Sequence, residues 1–231
     1  MIDRKTLRLP AVLLAAGFIF YVIMGLFHTG GPANDHEVVF ANYASSDSWT
    51  LVHLGQLAGM AVIIGGLLAL YFALDVRTGG AAWMARLGAL SAGVALGLYC
   101  VLQAIDGVAL KQAVDTWASA PAAEKTTHFA GAETVRWLEW GARSYQSFMF
   151  GLALILLGSA VALAARLPRA LGYLMGLSGL AYLVQGWVLG SDGFSATNTS
   201  AILIGYLLML AWIIWLAAVA WRTKKTVALR S

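Results

Sequence analysis

Charge is what this chain has least of. Only 11% of its 231 residues are Asp, Glu, Lys or Arg, and 60% are hydrophobic. An ordinary soluble domain carries about 25% charged and about 45–50% apolar residues. A chain of this size cannot hide that excess in a water-soluble core, because its surface must still be covered mostly by groups that water accepts. Cysteine is nearly absent too. Cys100 stands alone, so no intramolecular disulfide, iron–sulfur set or CxxCH haem attachment can form, and inside an apolar span its thiol is expected to be buried and inert. There is no phosphate-cradling glycine loop with its lysine, no dinucleotide fingerprint, no G-x-S-x-G elbow and no His-Glu-x-x-His run. These absences argue against ATP-driven transport by this chain and against soluble-type serine hydrolysis. Basic runs are missing except around Arg222, Lys224 and Lys225, which excludes a nucleic-acid partner and reads as a topology signal in contact with lipid headgroups.

What is present is a set of six apolar segments, at about residues 9–27, 51–74, 87–110, 143–165, 170–190 and 201–221. Each is near the roughly 20 residues a helix needs to cross about 30 Å of hydrocarbon. Alternating ten-residue segments of the β-barrel kind do not occur. The predicted fold is a single all-α, polytopic bundle. Its first segment, with Pro10 in the first turn, is a retained helix, since no small-residue cleavage site occurs at His28–Gly31.

The charges give this bundle a direction. With both termini on the cytoplasmic side, eleven of the fifteen Lys and Arg residues face inward against two acidic ones, Asp3 and Asp75. The outer side then has four basic residues (Lys111, Lys125, Arg136 and Arg143) against nine acidic ones. The positive-inside rule therefore predicts N-in, C-in. Trp49, Trp83, Trp187 and Trp221 fall near span ends and read as an interfacial belt. Trp212 and Trp215, three apart, read as packed or lipid-facing bulk.

Two external segments are expected, 28–50 and 111–142. The first is long enough to fold across the outer mouth of the bundle. The second reads as a helix capped by Ser119, with Pro121 and Glu124 in its first turns. Past Glu133 it becomes an amphipathic interfacial stretch leading into span four, on which Glu139 and Arg143, four apart, can pair. The hairpin of spans two and three resembles that of spans four and five, each leaving through an Asp-Gly (Asp106-Gly107, Asp192-Gly193), but the offsets are not constant. Glycines in the spans, among them Gly55, Gly59, Gly65, Gly66, Gly88, Gly93, Gly97, Gly172, Gly176, Gly179 and Gly186, are read as close-packing positions.

The polar side chains within the spans collect at the outer end: His28, His53, Gln56, Gln103, Asp106, Arg143, Gln146 and Gln185. Polar groups in apolar surroundings need partners, and ionisable ones within spans are candidates for a site. The leading expectation is an outward-facing polar cup that binds a small polar or amphiphilic ligand, or a membrane-protein partner, without catalysis and without a resident cofactor. One alternative is a metal-dependent membrane hydrolase, with zinc held by His28, His53 and Asp106 and with His128 or His36 as a fourth ligand. A haem between His28 and His53 is a further possibility, although His36 and His128 read first as plain loop histidines. The last alternative is a small secondary transporter. The oligomeric state is open.

The run Leu167, Pro168, Arg169, Leu171 and Gly172, followed by Gly179, Leu180, Tyr182 and Leu183, resembles a widespread family of bacterial six-span integral membrane proteins, with the likeness centred on residues 148–187. The resemblance implies a bacterial cytoplasmic (inner) membrane location and brings no assigned activity.

Overall fold

Lipid offers no partner for backbone N–H and C=O groups, so an apolar chain crosses it as helix. The computed structural model describes residues 4–222; Asp3, Lys224, Lys225 and Arg230, which contribute to the charge asymmetry, lie outside that range. After a 3₁₀ turn at Arg4–Leu7 come α1 (Arg8–Leu26), α2 (His36–Ala44), α3 (Trp49–Leu74) and α4 (Gly79–Ala104). A π-helical turn at Ile105–Leu110 leads without interruption into α5 (Lys111–Ser119). The chain continues as α6 (Lys125–Ala164), α7 (Arg169–Asp192) and α8 (Ala196–Trp221). Six of the helical stretches are long and apolar enough to cross a membrane. The molecule is a six-span, all-α polytopic bundle.

Two of these stretches are far longer than a bilayer requires. Gly79–Ser119 has 41 residues and Lys125–Ala164 has 40, so each extends about 60 Å. Residues 111–142 are therefore continuous with the helices of spans three and four. A short turn around Pro121 joins the two. Nothing between Leu110 and Ser119 breaks the helix; the break comes at Ala120, whose backbone is extended, as expected before Pro121. Ser119 does not cap a new helix. Its hydroxyl donates back to the Asp115 carbonyl at 2.8 Å, and the next helix starts at Lys125 with Glu124 at the N-cap.

Close backbone approach holds the bundle together, as expected without a hydrophobic drive between helices. A Cβ on Gly59 or Gly66 would strike Tyr21 and Leu14 of α1, and one on Gly158 or Gly172 would strike the other's carbonyl across the α6–α7 seam. Gly65, Gly93 and Gly97 do not belong to such seams, because a Cβ there would meet nothing within 4 Å, whereas the Gly176 backbone packs against Gly158. Cys100 is exposed rather than buried, on a face of α4 turned away from the bundle. Trp83, Trp187 and Trp221 are exposed, as the belt reading requires, but Trp49 is only 2% exposed.

The end of the bundle beside α2 carries a second hydrophobic cluster. Val39, Phe40 and Tyr43 of α2 pack with Trp49, Leu110, Val114 and Ala132. Phe40, Trp117 and Phe129 meet edge-on or tilted, with centroids 5.5–6.2 Å apart. Asp35 caps α2 by accepting from the Val38 N–H. Asn34 ties the loop to the far side of the mouth, donating to the Asp192 carbonyl at 2.6 Å and accepting from the Phe194 N–H at 2.9 Å. The loop before α2, together with α2, thus roofs this end of the bundle.

Candidate metal centre

Beneath this roof three of the expected residues converge. His28 lies just past the end of α1, His53 in the second turn of α3, and Asp106 in the π turn. Each offers one ligand atom, and the three atoms lie within 4.8 Å of one another. His53 Nε2 is 3.2 Å from Asp106 Oδ2, and the His28 and His53 ring centroids are 5.0 Å apart. Tetrahedral ligands held about 2.0–2.2 Å from zinc stand roughly 3.3–3.5 Å apart, closer than the 4.8 Å within which these three atoms lie.

Local sequence explains the arrangement. A Cβ on Gly107 would sit 2.9 Å from the His53 Cβ, so only glycine lets the π turn come this close to α3. Single π turns inside α-helices are frequent at functional sites. Trp49, one turn before His53, holds both partners. Its carbonyl accepts from His53 Nδ1 at 2.8 Å, and its indole N–H donates to the Asp106 carbonyl at 3.1 Å. The first bond commits the Nδ1 proton to the Trp49 carbonyl and leaves Nε2, which faces Asp106 Oδ2, as the ring atom that could serve as a ligand. His53 Nε2 and Asp106 Oδ1 are buried without a hydrogen-bond partner among the described residues. Burial pushes the His28 imidazole down to about 4, against the pull of the Asp106 carboxylate, so it is neutral at physiological pH. Burial also raises the Tyr43 phenol above its ordinary value, against the pull of Arg136.

A cavity of about 460 Å³ adjoins the triad. Of the expected residues it is lined by His28, Gln56, Asp106 and Arg143, whereas Gln103, Gln146 and Gln185 are buried elsewhere in the helix packing. The lining also includes Tyr21, Tyr43, Arg136, Glu139, Phe194 and Tyr206. Arg136 and Glu139 form an ion pair and are 6% and 1% exposed. The expected Glu139–Arg143 pair does not form: Glu139 turns toward the guanidinium three residues before it. Trp49 and the Arg136–Glu139 pair, which composition places at the interface, are candidate site residues that the sequence pattern does not single out. The spacing of Trp49 four residues before His53 was the available signal.

His36 and His128 are neither loop residues nor part of the cluster. His36 opens α2 and lies 2.9 Å from Glu133, and His128, in the first turn of α6, is 3.5 Å from Glu124. The His28 and His53 rings lie 5.0 Å apart and tilted by 58°, an arrangement that adds no support for a haem between them. Asp192, the repeat counterpart of Asp106, contributes its carbonyl to Asn34 and lies outside the triad. No protein family, curated protein or solved structure matches this chain.

Proposed function

We propose that this protein is a metal-dependent hydrolase of a bacterial cytoplasmic membrane, with its site facing outward and His28, His53 and Asp106 holding a divalent ion of the zinc class. The observation that carries this reading is the convergence of three ligand atoms within 4.8 Å, from three separate elements, beside a cavity large enough for a substrate headgroup. A His/His/Asp set would keep a fourth position open, and an ion held there would lower the pKa of water toward neutrality and polarise a carbonyl or phosphoryl oxygen. The chain's own groups would supply the rest: Trp49 holds His53 Nδ1, and Glu139 on the cavity wall, held by Arg136, would be the group placed to accept a proton from water. The orientation rests on the Lys and Arg distribution, and the bacterial setting on the resemblance around Leu167–Leu183.

Elemental analysis of protein purified in an uncharged detergent tests the reading. One zinc-class ion per chain is expected, lost in His53→Ala and in Asp106→Asn. Absence of stoichiometric metal, together with thermal stability unchanged by chelation, would leave only a ligand-binding cup. Orientation is tested in a Cys100→Ser background with cysteines at Ala122 and Thr78. An impermeant thiol reagent applied to intact cells should label the first and spare the second.

A further inference from the structure

The cavity beside the triad has a second chemical feature, an uncommitted cation. Arg143 lines it, and among the described residues this guanidinium makes no ion pair or hydrogen bond; the Phe194 ring lies 5.4 Å from its Cζ. Its electrostatic neighbours are Tyr21, Tyr206, Tyr99 and Glu139, and Glu139 is already held by Arg136. A guanidinium inside a membrane span is costly unless something answers its charge.

The ionised groups of the chamber sharpen this. Asp106 and Glu139 balance Arg136 and Arg143. A divalent ion at the triad then leaves the chamber with two unbalanced positive charges, in surroundings that penalise each of them. The missing partner is an anion, and Arg143 presents the planar fork of donors that matches a carboxylate or a phosphate.

The shape of the cavity says what the anion is attached to. One wall is made by Tyr21, Val22, Gly25 and Leu26 of α1 and by Ile202, Leu203 and Tyr206 of α8. Leu26 is 80% exposed and Leu203 57%, and α1 and α8 are the two least buried spans, at 28% each. The cavity therefore reaches the outer surface of the bundle along a seam of apolar side chains that faces acyl chains. A Cβ on Gly25 would meet nothing within 4 Å, so the seam is open there. Water-soluble anions have no use for such a wall.

We propose that the substrate is an anionic amphiphile: its oxyanion head is held by Arg143 beside the triad, and its chain lies in the seam between α1 and α8. This rests on the hydrolase reading for the identity of the site but is tested separately from it. The probes are oleoyl lysophosphatidate, oleate, uncharged monooleoylglycerol and inorganic phosphate, each titrated into zinc-loaded protein in a maltoside detergent. Both acids should bind at least about tenfold more tightly than monooleoylglycerol, the size of effect a charge-assisted pair gives. Millimolar inorganic phosphate should not displace them.

Arg143→Met should erase that preference, and Gly25→Phe, filling open space at the seam, should weaken all three amphiphiles. Both variants should keep one zinc per chain, which shows that each is folded around the triad. Equal binding of charged and uncharged probes overturns the proposal, as does a preference that survives Arg143→Met. Displacement by inorganic phosphate as effective as by the amphiphiles would mark a free-anion site and overturn it as well. A wild-type protein that lacks zinc but keeps the Arg143-dependent preference would refute the hydrolase reading and leave this one standing.

Discussion

Replacing Trp49 by Phe tests the metal centre without touching a ligand. The indole N–H holds the Asp106 carbonyl at 3.1 Å, and the Trp49 carbonyl, which the substitution keeps, holds His53 Nδ1 at 2.8 Å. The variant therefore removes one of two supporting bonds and shrinks a side chain that is 2% exposed. Leaving a buried acceptor with one bond fewer costs about 1–2 kcal/mol, and the lost ring volume adds about 1 kcal/mol. Because outer partners of ligands typically govern about 10- to 100-fold in metal affinity, zinc binding should weaken within that range. Competition against a fluorescent zinc chelator measures it directly. Trp212→Phe is the matched control: Trp212 is equally buried, and its indole N–H has no partner among the described residues. That variant should lose packing only and bind zinc as the wild type does. If Trp49→Phe binds zinc with unchanged affinity, or if Trp212→Phe weakens it as much, the Trp49 indole does not support the triad.

Arg136→Met should lower stability by about 3–5 kcal/mol, since it strands the fully buried Glu139 carboxylate; thermal unfolding in detergent reads this, and Arg136→Met/Glu139→Leu should recover most of the loss. The neutral state of His28 makes a second prediction. Its folded value, about 4, lies below the unfolded value of 6.5, so the unfolded chain binds the extra proton between those limits and stability rises with pH across that window. Metal-free wild type should therefore lose about 3 kcal/mol as pH falls from about 6.5 to about 4, and His28→Asn should flatten that part of the curve; an identical slope in the variant would mean that His28 is not buried neutral.

The spans were legible because they need only a count of apolar residues against the thickness of hydrocarbon. The convergence of His28, His53 and Asp106 was partly legible for a related reason: a polar side chain at depth must be paired, so its position alone carries information. Which helix faces meet could not be read. Gln103 and Asp106, three apart, occupy one face of an ideal helix, yet only Asp106 lines the cavity. The π turn at Ile105–Leu110 widens the helix between them and redirects the residues beyond it, and hydrophobic periodicity is blind to one inserted residue. The same limit hid Trp49. At a span end an indole suits the interface on composition alone, and it becomes a buried support only because Gly107 lets the π turn approach α3 at His53. Arg136 and Glu139 failed for a different reason. A hydropathy window ends a span at the first cluster of charges, whereas the helix runs on through them under the roof that α2 provides, and those charges line the chamber instead of meeting water. The residues most easily assigned to a membrane surface were thus the ones that build the site, because a roofed outer chamber has the composition of an interface and the burial of a core.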